Sequence, residues 1–93
     1  MSQNYALQRN HEKKEVWGAI EWIFNFMEHK KRVEIWINHN KNLKITGIIR
    51  GFDEWMNLVL DQAMEVHTKQ ETKTPVGRML LKGDSICIIR LLD

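Results

Sequence analysis

Asp53, Trp55 and Asn57 fall close together in the segment 51–61, GFDEWMNLVLD, which sets an aromatic ring, an amide and carboxylates in a tight turn between two apolar runs. Lys82, Gly83 and Asp84 form a second turn of the same kind in 80–84, LLKGD. Each turn pairs a flat or cationic group, Trp55 or Lys82, with a polar turn former or glycine, Asn57 or Gly83, a set suited to gripping one unstacked nucleic-acid base. Each residue also has a plainer reading. Taken alone, Trp55 fits an aromatic cap over a barrel end, Asn57 a turn residue bonded to its own backbone, and Lys82 a solvated hairpin charge. Asp84 fits fixing the turn rather than touching RNA, because a carboxylate near phosphate would repel it.

The other chemically able side chains make no catalytic set. Asp53, Glu54 and Asp61 are not accompanied by an activated nucleophile, a phosphate loop or a second base. His11, His29, His39 and His67 lack the mutual spacing of metal ligands and read as solvated surface residues. The single cysteine, Cys87, lies in the apolar run ICIIRLL, where packing is the ordinary role, and one cysteine makes no internal disulfide. No catalytic residue, no metal site and no cofactor is expected, and a reducing compartment fits. The formal charge of +2 is too small to argue for nucleic acid by itself. No run approaches the ~18–20 apolar residues of a membrane span, and the first fifteen residues have no signal or transit pattern, so a soluble intracellular protein without a membrane partner is expected.

The elements that must position the two turns follow from periodicity. At 93 residues the chain is one domain with a lean core, which favours a closed sheet or self-association. Residues 1–13 carry no apolar period and read as a flexible N-terminal arm, with the domain at 14–93. Trp17, Ile20, Ile23, Phe24 and Met27 recur at helical spacing, while Trp22 and Phe26 form a second apolar pair off that stripe. Lys30, Lys31 and Arg32 then suit the negative end of the helix dipole. Five strands are predicted beyond it: 33–37, a second from Leu43 to Phe52 bent at Gly47 and Gly51, a third from Leu58 to His67, then 76–82 and 85–92. In the third, Leu58, Leu60, Met64 and Val66 are assigned one face and Ala63 the other. Residues 68–75, TKQETKTP, read as an exposed hairpin tip, and Gly83-Asp84 as the two-residue link of a tight hairpin between the last strands. The last strand is apolar on both faces, a sticky edge that calls for a partner. The predicted fold is mainly β: a short N-terminal helix followed by a strongly bent five-stranded antiparallel sheet that makes a small open barrel.

These segments resemble the Sm and Sm-like family, whose spliceosomal members build the ring-shaped core of small nuclear ribonucleoproteins. The resemblance covers about residues 16–92. The first family motif is similar to residues 33–60, with Gly47, the Gly51-Phe52-Asp53 turn and Met56-Asn57; the second is similar to 77–92, with Lys82-Gly83-Asp84. Gly18 stands where the family resemblance places a proline opening the helix.

The resemblance implies a non-catalytic subunit of a seven-membered ring, closed by pairing the fifth strand of one subunit with the fourth of the next. Partners implied are other Sm proteins, the F and G members as neighbours, and the single-stranded uridine-rich Sm site of a small nuclear RNA. It further implies a role in pre-mRNA splicing, nuclear location and a cytoplasmic assembly stage. By motif position Trp55 would stack on a base, Asn57 would bond the base edge, Asp53 would orient Asn57, Lys82 would close the other face, and Gly83 would admit the backbone. An alternative in the same family is a Sm-like ring in RNA decay or in the U6 particle. From another class, a small barrel of this kind could grip peptides through its aromatics as a monomer.

Overall fold

The computed structural model describes residues 4–5 and 13–92, with side-chain environments from Ile20 onward. In chain order the elements are β1 (Asn4–Tyr5), α1 (Lys13–Glu28), β2 (Arg32–Ile37), β3 (Asn40–Phe52), β4 (Leu58–His67), β5 (Thr72–Leu81), a 3₁₀ turn (Gly83–Ser85) and β6 (Ile86–Leu91). The strands form one sheet in the order β1-β6-β2-β3-β4-β5, every neighbouring pair antiparallel. Five long strands therefore build the bent, unclosed barrel expected from the sequence. Of the N-terminal arm, Asn4–Tyr5 make a sixth, two-residue strand and Lys13 already belongs to the helix. The rest of the arm lies outside the described residues.

Helix α1 runs through Gly18 and packs one face on the barrel. Ile23 and Phe26 are fully buried and Ile20 and Met27 pack beside them, whereas Phe24 is 50% exposed. The stripe is thus rotated from the expected one, with Phe26 inside and Phe24 outside. Eight apolar residues besides Ala19 within one helix allow more than one face, and the barrel mouth selects among them. Lys30 ends the helix at φ 53, with Lys31 N–H donating to the Phe26 carbonyl at 2.9 Å and Lys30 N–H to Met27 at 3.1 Å. This is the αL cap usually given to glycine. The basic run begins at this cap, beyond the helix end at Glu28, so no basic side chain stands in the last helical turn.

The core is Val33, Ile35, Ile45, Ile49, Met56, Leu58, Leu60, Ala63, Leu81, Ile86 and Ile89, closed at one end by Ile23 and Phe26. Its curvature comes from irregularities that line up across three strands. Thr46 and Ile48 of β3 face Met64 and Asp61 of β4, so two residues of β4 oppose Gly47 alone. Gln62 takes φ 51 in this bulge, and Gly77 beside it in β5 takes φ 89. A side chain on Gly47 would stand 3.2 Å from the Asp61 carbonyl oxygen and 3.3 Å from the Ala63 Cα, so the two backbones meet there. The extra residue also switches the inward face: Leu58 and Leu60 point inward, then Ala63 replaces the expected Met64. Gly51 has no atom within 4 Å of an added Cβ, and only Gly47 marks a close approach within β3.

The end of the chain departs furthest from the sequence reading. β5 begins at Thr72, so half of the supposed tip is strand. β5 and β6 are not a hairpin. Among the described residues β5 pairs only with β4, and the 3₁₀ turn carries the chain across to β6, which pairs with β2 and β1. A two-residue hairpin needs its strands adjacent in one sheet, but here β2, β3 and β4 lie between them in the strand order. β6 also bulges at Cys87, which is exposed rather than packed, and this puts Ile86 and Ile89 inward. The bare edge of the sheet is accordingly β5, where Val76 and Leu80 are 42% and 63% exposed.

Candidate nucleic-acid interface

β3 ends at Phe52 and β4 begins at Leu58, leaving a five-residue turn whose shape is set by one carboxylate. Asp53 Oδ1 accepts the backbone N–H groups of Trp55 at 2.9 Å and Asn57 at 3.0 Å, while Oδ2 accepts Asn57 Nδ2–H at 2.9 Å. Backbone bonds from Met56 N–H to the Asp53 carbonyl and from Asp53 N–H to the Asn57 carbonyl complete the turn. Met56 adopts φ 66, which sends its side chain into the core and leaves the preceding indole outside: Met56 is 5% exposed and Trp55 69%. At that exposure the indole is not sealed over the barrel end.

The second turn meets the first. Gly83 N–H donates to Asn57 Oδ1 at 2.9 Å, joining residues 26 apart in sequence. Gly83 is buried against residues 55–56, where an added Cβ would collide with the Trp55 carbonyl oxygen and stand 2.9 Å from Met56 backbone atoms. Only glycine fits this contact. Asn38, just beyond β2, holds the second loop from the other side: its Nδ2 donates to the Asp84 carbonyl and its N–H to the Ser85 carbonyl, both at 2.8 Å. Its isolated position after β2 offered no signal of this role, because the partner lies 46 residues away.

The five residues named from the sequence thus fall into three placements. Asp53, Asn57 and Gly83 form one hydrogen-bonded relay. Trp55 stands exposed beside it, its N–H held by Asp53, and Lys82 precedes Gly83 in extended conformation with an exposed side chain. The Asn57 side-chain bond, then the N–H donors of Asn57 and Trp55, hold the Asp53 carboxyl below its ordinary value of 3.8 against a smaller opposing desolvation. The carboxylate is therefore ionised at neutral pH and acts as an acceptor on both oxygens.

That relay also fixes the Asn57 amide. Its nitrogen faces a carboxylate and its oxygen faces an N–H, so the amide has one permissible orientation. One Nδ2–H donor and one Oδ1 lone pair remain for a ligand. A recess of about 470 Å³ lined by Arg32, Gln62, Ala63, Met64, Pro75 and Gly77, among others, lies at the bend of the sheet and involves none of the five residues.

Comparison with known proteins agrees with this fold. The LSM domain model matches residues 25–91, and the chain belongs to that family. A Drosophila melanogaster protein named as probable small nuclear ribonucleoprotein E is 46% identical over 71 residues, 76% of each chain. A heptameric archaeal Sm protein has the same fold at a TM-score of 0.69 and 23% identity, covering 78% of this chain and 98% of the other. The Sm protein of Pyrococcus abyssii, solved in complex with a uridine heptamer, superposes at a TM-score of 0.66 and 20% identity over 78% of this chain and 96% of the other.

Proposed function

We propose that this chain is a non-catalytic, RNA-binding subunit of a heptameric Sm ring and that its two turns hold one uridine of a single-stranded uridine-rich site. The observation that carries the reading is the relay from Asp53 through Asn57 to Gly83, which leaves one donor and one acceptor on a side chain that cannot turn over. Uracil presents a carbonyl oxygen next to an N3–H, the complement of that pair. Cytosine in the same pose presents an amino group to the donor and a lone pair to the acceptor, leaving both unmatched. An unmatched buried polar group costs about 1–3 kcal/mol. Trp55 stacks on one face of the ring, Lys82 covers the other, Gly83 lets the backbone approach, and Asp53 holds Asn57 in register.

Small nuclear ribonucleoprotein E among its relatives supports a place in the core of the spliceosomal particles, hence in pre-mRNA splicing and in the nucleus, with assembly beginning in the cytoplasm. Other Sm proteins, the F and G members as neighbours, complete the ring. Their number and the uridine ligand are supported by the heptameric and uridine-bound Sm proteins of the same fold. Sm-like rings of RNA decay or of the U6 particle are the alternative, and the composition of the native complex separates them.

The test is a ring reconstituted with this chain and titrated with uridine-run and cytidine-run oligonucleotides at one salt concentration. Tighter binding of the uridine run, with the preference lost in Asn57→Ala, is expected. Equal affinity for both runs in the unaltered ring would overturn the base-reading role.

A further inference from the structure

A strand has two edges, and both edges of β6 are occupied within this one chain. β2 lies along one side over five paired positions, and β1 lies along the other, with Asn4 opposite Arg90 and Tyr5 opposite Ile89. The alternation of antiparallel bonding tells which groups β1 takes. Leu92 donates its N–H to the Arg32 carbonyl at 3.0 Å, so Arg90 and Leu92 turn their backbone groups toward β2. Ile89 and Leu91 consequently turn theirs outward, to the edge that β1 covers at Ile89. The opposite edge of the sheet, β5, pairs among the described residues with β4 alone and carries exposed Val76 and Leu80.

We infer that β1 is an internal placeholder for a neighbouring subunit's edge strand. The two docking edges are then unequal: a partner strand joins first at bare β5, and a second joins at β6 only after β1 has left. The partner this surface fits is a subunit of the same fold offering a free strand edge. This inference rests on the ring reading above.

The placeholder can be displaced without disturbing the barrel. The seven residues 6–12 link β1 to α1, a reach of up to about 24 Å when extended. A tether of that length holds β1 near its edge at an effective concentration on the order of millimolar, well above that of a free subunit. β1 therefore wins the first encounter. An incoming strand as long as β5, ten residues against two, wins the equilibrium because it pairs far more of the edge. The device guards an edge that would otherwise template unwanted pairing, and it slows association without preventing it.

Tyr5→Pro in the full chain tests this, since proline removes the Tyr5 N–H and disfavours strand pairing. Two measurements are compared with the unaltered chain. In the free chain, amide hydrogen exchange of Ile89 is expected to lose its protection in the variant, while Arg90, bonded to β2, keeps it and reports an intact barrel. In reconstitution with the remaining subunits and a uridine oligonucleotide, incorporation of the variant is expected to be about tenfold faster, the factor that ~1.4 kcal/mol of edge pairing represents. Equal Ile89 exchange in the two chains, or equal rates of incorporation into the same final ring, would overturn the placeholder alone. Failure of both chains to join any ring overturns the ring reading, and the placeholder falls with it.

Discussion

Replacing Gly83 by alanine sets a methyl group against the backbone of residues 55–56, where the nearest atoms are the Trp55 carbonyl oxygen and the Met56 carbonyl group. These are main-chain atoms of a turn held by Asp53, so no side chain can swing aside. Either the two turns separate or one is distorted. Overpacking of this kind costs about 1–3 kcal/mol. Separation also breaks the bond from Gly83 N–H to Asn57 Oδ1, for a further ~0.5–1.5 kcal/mol. The sum is about 1.5–4.5 kcal/mol, which for a domain of this size lowers the melting temperature by roughly 6–36 °C. Thermal unfolding of Gly83→Ala beside Gly51→Ala at equal protein concentration measures it, because an added Cβ at Gly51 meets nothing within 4 Å. Gly51→Ala should stay within about 0.5 kcal/mol of the parent chain. A Gly83→Ala protein that melts within 2 °C or so of the parent would show that the two turns do not touch as described, and the base cradle built on that contact would be lost.

Trp55→Ala should leave the melting temperature nearly unchanged, since the indole is 69% exposed, yet weaken uridine-oligonucleotide binding about tenfold or more per site; titration of a reconstituted ring reads the second effect, and unchanged affinity would remove Trp55 from the interface. The Asp53 carboxyl titrates below 3.8 in the folded chain, so its contribution to stability is present above that pH and is lost as pH falls through the lowered value. Urea unfolding across pH 2–6 should therefore show an acid-side decline that is shallower in Asp53→Asn, and identical slopes would deny the carboxylate its role. Lys30→Gly relieves a non-glycine residue held at φ 53 and should raise stability by about 1 kcal/mol in chemical denaturation; a lower midpoint would mean that the lysine side chain has contacts that outweigh the strain.

Short-range features were legible in the residues. The helical spacing around Ile20, Ile23 and Met27, the period-two runs, the polar turn at 53–57 and the lysyl-glycine turn each depend on neighbours a few positions away, where periodicity and turn chemistry act. The five binding candidates were named on that basis together with the family resemblance, and the fold class followed from the same pattern. What failed shares one cause. Whether Gly83-Asp84 closes a hairpin, which residue of β4 points inward after Leu60, and which helical face Phe26 occupies all depend on how far the sheet curls.

That curl is decided by long-range contact. Gly47 against Asp61 and Ala63, with the bulge at Gln62, bends three strands together, and the bend carries β6 to β2 instead of β5. By itself the sequence determined the side chains available at each turn, an indole, an amide, a carboxylate and a glycine, because composition and local turn preference are properties of neighbouring residues. Only the tertiary structure decided that Asn57 and Gly83 share a hydrogen bond, that the indole stays outside while Met56 goes in, and that β1 lies along the edge of β6. Those outcomes depend on which distant backbones the closing barrel brings within hydrogen-bonding distance, and no local pattern encodes that distance.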